Sequence, residues 1–270
     1  MMRCKICSEP TQPCARATII LKHEIQYFQC PACGFVQTEE PYWLDEAYAD
    51  AISDIDLGVI NRSITFGELT RNLLLSSFDC NARFMDFGGG PGVFVRMMRD
   101  RGFDFYLFDK YCENMFARGF EADLSIPEQY ELITAFEVFE HFVAPLDDIE
   151  RLLRYSGSIL FSTLLLPADN PGPGEWWYYA LEHGQHVSIY TYKALTTIAK
   201  RFDLHLLSNG SSFHLLTKKQ LAPRAFEFIF RKKISAVLNL IYAKRQKRTS
   251  LLEEDFYKGS GLRMTQHERL

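Results

Sequence analysis

The apolar and polar positions of residues 83–217 alternate in a way that predicts strands separated by helices. The apolar runs have the length of strands and lie at 83–87, 105–108, 132–136, 158–163, 204–208 and 213–217, with a shorter run before Asp123. Helical periodicity lies between them, for example at 93–99 and 145–155. This order predicts an α/β fold with a parallel sheet, helices on both faces, and an antiparallel hairpin made by the last two strands.

The segments on either side of this region have different patterns. Residues 59–75 repeat apolar side chains at helical spacing, and we expect this helix to cover the site from above. The chain therefore divides into four predicted parts, which are a small N-terminal module at 1–40, a helical linker or lid at 41–80, the sheet domain at 81–217, and a basic amphipathic helix with a C-terminal tail at 218–270.

The composition of the 270-residue chain is that of a globular protein. Hydrophobic residues make up 47% and charged residues 24% of the chain, and its formal net charge is −4. The N-terminus lacks the apolar segment of a signal peptide, and no apolar stretch reaches the roughly 18 residues of a membrane span. We therefore expect a cytoplasmic protein.

The first strand of the sheet domain runs into a glycine-dense turn. The strand carries Asp86 near its end, and Gly88, Gly90 and Gly92 follow at alternate positions before a helical pattern begins. Glycines allow positive φ values and let a ligand approach the main chain, so the spacing predicts a ligand against this loop and the helix N-terminus. A dinucleotide fingerprint needs a small residue at position 93, where this chain has Val93. A tight turn without a ligand is the alternative.

The Asp86-x-Gly88-x-Gly90-x-Gly92 arrangement resembles motif I of class I S-adenosylmethionine (SAM) methyltransferases. The resemblance implies a Rossmann-like sheet of seven strands, with SAM as the cofactor and its amino-acid end on the loop. It also implies that Asp109, after the second strand, accepts the ribose hydroxyls, and that Asp123 contacts the adenine amino group. Exposed loop aspartates are the alternative for both. The predicted cofactor contacts are Asp86, Gly88, Gly90, Gly92, Asp109, Asp123 and Phe136.

The fourth strand is followed by a sequence motif with three candidate functional side chains. Glu137, Glu140 and His141 are spaced i, i+3 and i+4, so one helical turn could aim all three at the crevice. This motif is similar to the metal motif of ubiquinone-biosynthesis O-methyltransferases and small-RNA 2′-O-methyltransferases, which implies Mg²⁺ or Mn²⁺ and a further histidine. His186 is the first candidate for that ligand and His183 the second. Without a metal, His186, His141 or Glu137 would be catalytic, and a purely structural helix start is the alternative.

Four of the seven cysteines are paired by spacing at the N-terminus. Cys4-x-x-Cys7 and Cys30-x-x-Cys33 have the spacing of a zinc ribbon, in which two tight turns complete a tetrahedral Zn²⁺ site. A closed site of four sulfurs leaves no position for substrate or water, so we predict a structural metal that contributes to folding. Cys14 lies between the pairs and is an inferior candidate ligand.

Further features concern the acceptor and partners. The ribbon and the late Gly-Gln-His-Val phrase at 184–187 resemble methyltransferases of sugar and surface-glycan biosynthesis. Some of these are C-methyltransferases with a longer C-terminal domain, so we predict O-methylation of a hydroxyl on a sugar or similar small metabolite. Aromatic side chains at 176–179 could stack on such an acceptor. An RNA methyltransferase and a non-catalytic SAM-binding interaction protein are the alternatives, and net acidity argues against nucleic acid.

Charge is locally reversed at 224–248. This segment carries eight Lys/Arg and one Glu in an apolar pattern of helical period. Such a basic amphipathic helix is compatible with peripheral contact to an anionic membrane surface, with RNA or with a protein partner, and equally with packing on its own domain.

Overall fold

A computed structural model of the chain describes residues 2–49, 58–127, 129–222, 226–227, 229–230 and 249–260. Two β-sheets organise these residues. The smaller sheet is built mainly from the N-terminal module, and the larger one forms the centre of the α/β region.

The smaller sheet has the strand order β1-β2-β3-β8. Its strands are β1 (Gln12–Ile19), β2 (His23–Gln29), β3 (Val36–Thr38) and β8 (Ser188–Ile189), and all neighbouring pairs are antiparallel. The strand β8 comes from late in the chain, where Ile189 pairs with Val36. The N-terminal module is therefore completed by a strand from the middle of the sheet region.

The larger sheet has six strands in the order β5-β4-β6-β7-β10-β9. They are β4 (Arg83–Phe87), β5 (Asp104–Phe108), β6 (Leu132–Phe136), β7 (Ser158–Ser162), β9 (His205–Ser208) and β10 (Phe213–Thr217). The strands β5, β4, β6 and β7 are mutually parallel, whereas β10 pairs antiparallel with both β7 and β9. The predicted α/β sheet with a closing antiparallel hairpin is confirmed.

The predicted short strand before Asp123 forms only one bridge. Glu121 pairs in parallel with Leu107 on the edge strand β5, and the Leu107 N–H donates to the Phe120 carbonyl oxygen at 2.7 Å. The chain turns away after Ala122, so the sheet of the described residues has six strands and one additional bridge, where sequence reasoning expected seven strands.

Helices cover both faces of the larger sheet. They are α2 (Val59–Ser77), α3 (Val93–Asp100), α4 (Pro145–Leu153) and α5 (Tyr192–Arg201), and the C-terminal helix Leu252–Ser260 packs beside α3. The short helix α1 (Leu44–Ala47) instead packs with the smaller sheet. Successive residues of a strand point to opposite faces, so Phe84 packs in one hydrophobic cluster with α2 and α3, and Met85 packs in another with α4 and α5. The second cluster also contains Cys4, Cys33 and Phe35, which joins the N-terminal module to the core of the sheet region.

The C-terminal helix is held by a buried ion pair. The Arg99 guanidinium donates two hydrogen bonds to Asp255, at 2.8 and 2.7 Å, and lies 3.6 Å from the centre of the Phe120 ring. Sequence reasoning expected only a partly ordered tail here, since no local pattern predicts this long-range pair. Most of the predicted basic helix at 224–248 lies outside the described residues. No described helix is both long and apolar enough to span a lipid bilayer.

Candidate active site

The glycine loop after β4 has the backbone conformation that its sequence predicts. Gly88, Gly90 and Gly92 have φ values of +70°, +57° and +89°, which side chains disfavour. A Cβ atom at Gly88 would lie 2.7 Å from Val138, whereas a Cβ at Gly90 would meet no atom within 4 Å. The loop therefore packs closely against the segment after β6 and leaves open space above Gly90.

Asp86 lies beneath this loop. It is 2% exposed, and one carboxylate oxygen accepts a hydrogen bond from the Thr134 hydroxyl at 2.6 Å, while a Cβ at Gly89 would collide with the other. Burial raises the pKa of Asp86 to about 7. Asp86 was predicted as a cofactor contact, but in this structure its carboxylate supports the loop and faces Thr134 and Gly89.

Asp109 follows β5 and borders the open space. Its Oδ2 accepts a hydrogen bond from the Gly90 N–H at 2.8 Å, and its Oδ1 accepts from the N–H groups of Tyr111 and Cys112, each at 2.8 Å. The carboxylate is half-buried, and Oδ2, which accepts one hydrogen bond, can accept another, whereas Oδ1 already accepts two. Asp109 and Gly90 thus form one continuous polar edge.

The two other predicted cofactor contacts lie in different surroundings. Asp123 is exposed and accepts a hydrogen bond from the Ser125 N–H at 2.8 Å, which lowers the pKa of its carboxyl group. The Phe136 ring is partly buried and contacts the rings of Phe66, Phe94 and Phe213. Their roles toward a cofactor stay predictions.

Glu137 does not share a helical turn with Glu140 and His141, in contrast to the sequence expectation. Its φ is +54°, a left-handed conformation that is unusual for a residue with a side chain. The Ser162 hydroxyl accepts a hydrogen bond from the Glu137 N–H at 2.8 Å and donates one to its carboxylate. Burial, followed by the nearby Glu140, raises the pKa of Glu137 to about 7. The strained residue is therefore held by the neighbouring strand β7.

Glu140 and His141 lie in the short 3₁₀ helix Phe139–His141 that follows. Glu140 is fully buried, and neither carboxylate oxygen has a hydrogen-bond partner among the described residues. Burial raises its pKa to about 7, against the opposing influence of the Tyr178 hydroxyl. One donor atom each from Glu140, His141 and His186 lies within 4.8 Å of the other two. We call these three residues the carboxylate–imidazole cluster.

His186 is oriented by a backbone carbonyl group. Its Nδ1 lies 2.6 Å from the carbonyl oxygen of Tyr178. Because a carbonyl oxygen only accepts, Nδ1 carries the proton and Nε2 of the neutral ring holds a free lone pair. Burial lowers the pKa of His186 to about 4, so the ring is neutral at pH 7. His183, the second candidate, is not part of the cluster.

The segment that carries His186 is clamped between two parts of the molecule. The Val187 N–H donates to the carbonyl oxygen of Glu140 at 2.9 Å, and the next two residues form β8 on the N-terminal sheet. Thr191 caps α5 by accepting from the Ala194 N–H, and its hydroxyl donates to the carbonyl oxygen of Cys33 at 2.6 Å. The N-terminal module and the 3₁₀ helix therefore set the position of His186 together.

Two neighbours of the cluster were missed or misread from the sequence. Ser162 has no local pattern that marks it as a partner of Glu137. Tyr178 belongs to the predicted aromatic segment, but it is buried, and its ring lies 4.7 Å from that of His186. Its hydroxyl is 3.0 Å from the Thr163 hydroxyl, so it is a polar partner inside the site and not an exposed stacking surface.

The four N-terminal cysteines form a second cluster. The sulfur of Cys4 is 3.6 Å from that of Cys33, and the sulfur of Cys7 is 3.4 Å from that of Cys30. Tetrahedral Zn²⁺ with bonds of about 2.3 Å separates sulfurs by about 3.8 Å, so these distances suit zinc. A hydrogen bond from the Cys33 thiol lowers the pKa of Cys4 to about 5 and raises that of Cys33, so the cluster already favours one thiolate. Sequence spacing and structure agree on a zinc-compatible site.

A comparison with protein families identifies the family of the chain. Residues 62–209, more than half of the chain, match the family described as "Methyltransferase domain". The chain belongs to this methyltransferase family, and the glycine loop and Asp109 lie inside the matched region.

Solved structures with a similar fold include TnmH, which is 16% identical over 66% of this chain and 62% of that chain, with a TM-score of 0.43. The mitomycin 7-O-methyltransferase MmcR is 15% identical over 66% of this chain and 60% of that chain, with a TM-score of 0.39. OxaC in complex with SAH and oxaline is 17% identical over 57% of this chain and 47% of that chain, with a TM-score of 0.42. The chain thus spans about half to two thirds of their lengths. A search of curated proteins found no match.

Proposed function

We propose that this methyltransferase transfers the methyl group of SAM to a hydroxyl group of a sugar or similar small metabolite, with His186 as the acceptor's base. The observation that carries this proposal is the carboxylate–imidazole cluster, which adjoins the glycine loop through Val138 and Gly88. A base with a free lone pair beside a cofactor loop suits methylation of a hydroxyl, because the acceptor proton must be removed during transfer.

The cofactor site in this proposal consists of the glycine loop and Asp109. Bound SAM supplies an activated methyl group on a sulfonium, so the protein needs to align the reactants and to exclude water. The open space over Gly90 fits a ligand that lies against the main chain, and a side chain there would fill it. The Asp109 carboxylate retains acceptor capacity for ribose hydroxyls. Asp123 and Phe136 are proposed as secondary contacts.

His186 alone is a weak base. Burial lowers its pKa to about 4, so Nε2 is available at neutral pH but has a low proton affinity. The reaction therefore needs a second group that polarises the acceptor hydroxyl, and Glu140 and His141 are the nearest candidates. Glu137 completes the proposed polar lining.

A metal ion within this cluster is the alternative route to the same reaction. Glu140 is buried without a hydrogen-bond partner among the described residues, which a cation would compensate. One carboxylate and two imidazoles suit Mn²⁺ or another transition ion better than Mg²⁺, which prefers oxygen ligands. Glu140, His141 and His186 would hold the ion, which would lower the pKa of a bound hydroxyl.

A carbohydrate acceptor is supported by the aromatic segment next to His186. Trp177 is 75% exposed, and its ring lies 5.5 Å from the Tyr178 ring, which in turn contacts His186. An exposed indole ring next to Tyr178, whose ring contacts His186, suits stacking on the C–H face of a sugar. In the same proposal the four cysteines hold structural Zn²⁺ in the ribbon at 1–40.

Transfer of isotopically labelled methyl groups tests the proposal. Purified protein is incubated with labelled SAM and with free sugars, nucleotide sugars, phenols or RNA oligonucleotides. We expect label in an alkali-stable ether of a sugar, whereas label only in RNA, or in no acceptor, would contradict the assignment.

Calorimetric titration with SAM tests the cofactor site separately. Asp109→Ala should weaken SAM binding by about tenfold or more, because a charge-assisted hydrogen bond to the ribose and the hydrogen bond that holds the Gly90 N–H are both lost. Asp123→Ala should have a smaller effect, since this side chain is exposed. Unchanged affinity in Asp109→Ala would remove this residue from the site.

A further inference from the structure

Tyr48 lies at the end of α1, and hydrogen bonds hold this helix against the loop before His186. The Trp43 indole N–H donates to the carbonyl oxygen of Gly184 at 2.7 Å, and the Gln185 side chain donates to the carbonyl oxygen of Ala47 at 2.6 Å. Trp43 is buried at one end of the helix, and Tyr48 follows at the other. The position of Tyr48 is therefore determined by the loop that leads to His186.

The Tyr48 side chain connects the two halves of the site. Its ring stacks on Tyr111 with 4.4 Å between ring centres and an angle of 5°. Its hydroxyl oxygen lies 2.9 Å from Nδ1 of His141. Tyr111 also donates its backbone N–H to Asp109, the proposed ribose ligand. One side chain thus spans the distance from the cofactor edge to the carboxylate–imidazole cluster.

The contact with His141 has a chemical consequence. A neutral imidazole has one nitrogen that donates and one that accepts, so the bond at Nδ1 determines what Nε2 can do. Among the described residues, a ring nitrogen of His141 forms its hydrogen bond with the Tyr48 hydroxyl, which can donate to Nδ1 or accept from it according to the tautomer. His186 is different, because its Nδ1 is held by the Tyr178 carbonyl oxygen and does not depend on Tyr48.

We propose that Tyr48 is a positioning residue for methyl transfer, whose hydroxyl sets the tautomer and ring orientation of His141 while its ring braces the Tyr111 wall beside the cofactor. The proposal rests on the proposed function in taking the carboxylate–imidazole cluster as the site of chemistry. Its first test, however, requires no acceptor.

The test is the long-range ¹H–¹⁵N spectrum of imidazole groups in protein labelled at histidine. Signals of His141 and His186 are assigned by their loss in His141→Gln and His186→Gln. Tyr48→Phe keeps the ring and removes the hydroxyl, so we expect the two ¹⁵N shifts of His141 to move toward a different tautomer ratio and those of His186 to stay. Tyr42→Phe is the matched control, because it removes a hydroxyl from an exposed tyrosine ring outside the carboxylate–imidazole cluster. Unchanged His141 shifts in Tyr48→Phe would overturn the proposal.

Kinetics with an acceptor identified by methyl transfer provide the second test. Loss of a hydrogen-bond partner that orients an active imidazole typically costs about 10- to 100-fold in activity. Tyr48→Phe should lower kcat by about that factor and leave KM for SAM within about twofold, while Tyr42→Phe should change neither. An unchanged kcat in Tyr48→Phe would overturn the positioning role of Tyr48 even if methyl transfer itself were established. Failure of the Tyr48 proposal is therefore distinguishable from failure of the proposed function.

Discussion

The two candidate metal-binding clusters of this methyltransferase differ in completeness. The four-cysteine cluster takes all its sulfurs from two short turns, and the pairs that contact each other are 3.4 to 3.7 Å apart. The carboxylate–imidazole cluster combines a 3₁₀ helix with a distant loop, offers one carboxylate and two imidazoles, and contains a buried carboxylate without a hydrogen-bond partner among the described residues. A closed set of equal ligands suits a structural ion, and an incomplete mixed set suits chemistry on a bound substrate.

The two clusters are connected by strand pairing and by a side-chain hydrogen bond. The strand β8 pairs with β3 of the N-terminal module two residues after His186, and Thr191 donates to the Cys33 carbonyl oxygen. The cysteine cluster thus supports the loop that carries His186.

The largest expected effect is the loss of the four-cysteine site. Cys30→Ser should prevent tight zinc binding, and because the binding free energy of a structural zinc is folding free energy, about 10 kcal/mol is at stake. Cys14→Ser is the matched control, since Cys14 is exposed and outside the cluster. Zinc content and urea-induced unfolding measure both, and a folded Cys30→Ser protein with full zinc would contradict the structural role.

A smaller but decisive effect is expected at the open cluster. His186→Gln should lower methyl transfer by about 10³-fold, within the range for general acid–base groups, and leave the melting temperature and zinc content nearly unchanged. His183→Gln tests the neighbouring histidine, which is not part of the cluster. Equal activities of the two variants would remove His186 from the reaction.

The pH dependence of stability should have opposite signs at the two clusters. Metal-binding thiolates are protonated in acid, so acid releases zinc. Burial raises the pKa of Glu140 to about 7 from its ordinary 4.5, so the folded protein holds a proton that the unfolded chain has lost. Protonated Glu140 therefore contributes to the free energy of unfolding below about pH 4.5, and this contribution is lost as pH rises through about 7. The complete loss amounts to about 3 kcal/mol.

The Glu140→Gln side chain carries no charge at any pH. Between about pH 5 and pH 8 the free energy of unfolding of this variant should therefore fall by about 3 kcal/mol less than that of the unchanged protein. Urea-induced unfolding measures both proteins. Glu150→Gln, at an exposed position of α4, is the control. If a divalent ion stabilises the unchanged protein more than the variant at about pH 8, the cluster binds metal. Parallel pH curves in the absence of metal would contradict the buried-carboxylate account.

The smallest expected effect concerns the link between the clusters. Thr191→Val removes both the helix cap and the hydrogen bond to Cys33, and should cost about 1 to 2 kcal/mol of unfolding free energy. Thr191→Ser keeps the hydroxyl and should be close to the unchanged protein. Equal stability of the valine and serine variants would show that this contact does not join the two regions energetically.

Short-range features could be predicted from the sequence because neighbouring residues determine them. The strand at Arg83–Phe87 followed by glycines with positive φ, and the two Cys-x-x-Cys turns, depend on backbone preferences within a few residues. For the same reason the parallel α/β order and the methyltransferase family were predictable, and both are confirmed.

Long-range features were decided only by the tertiary structure. The sequence spacing predicts one helical turn for Glu137, Glu140 and His141, whereas the left-handed backbone at Glu137 leaves this residue outside the 3₁₀ helix Phe139–His141. His186, Tyr48 and the strand β8 reach the candidate site through contacts with residues far away in the chain. The sequence by itself therefore determined the main strands and helices of the α/β region, the cysteine turns and the glycine loop. Which side chains meet in the candidate site depended on how distant segments pack, since that packing is a property of the whole core.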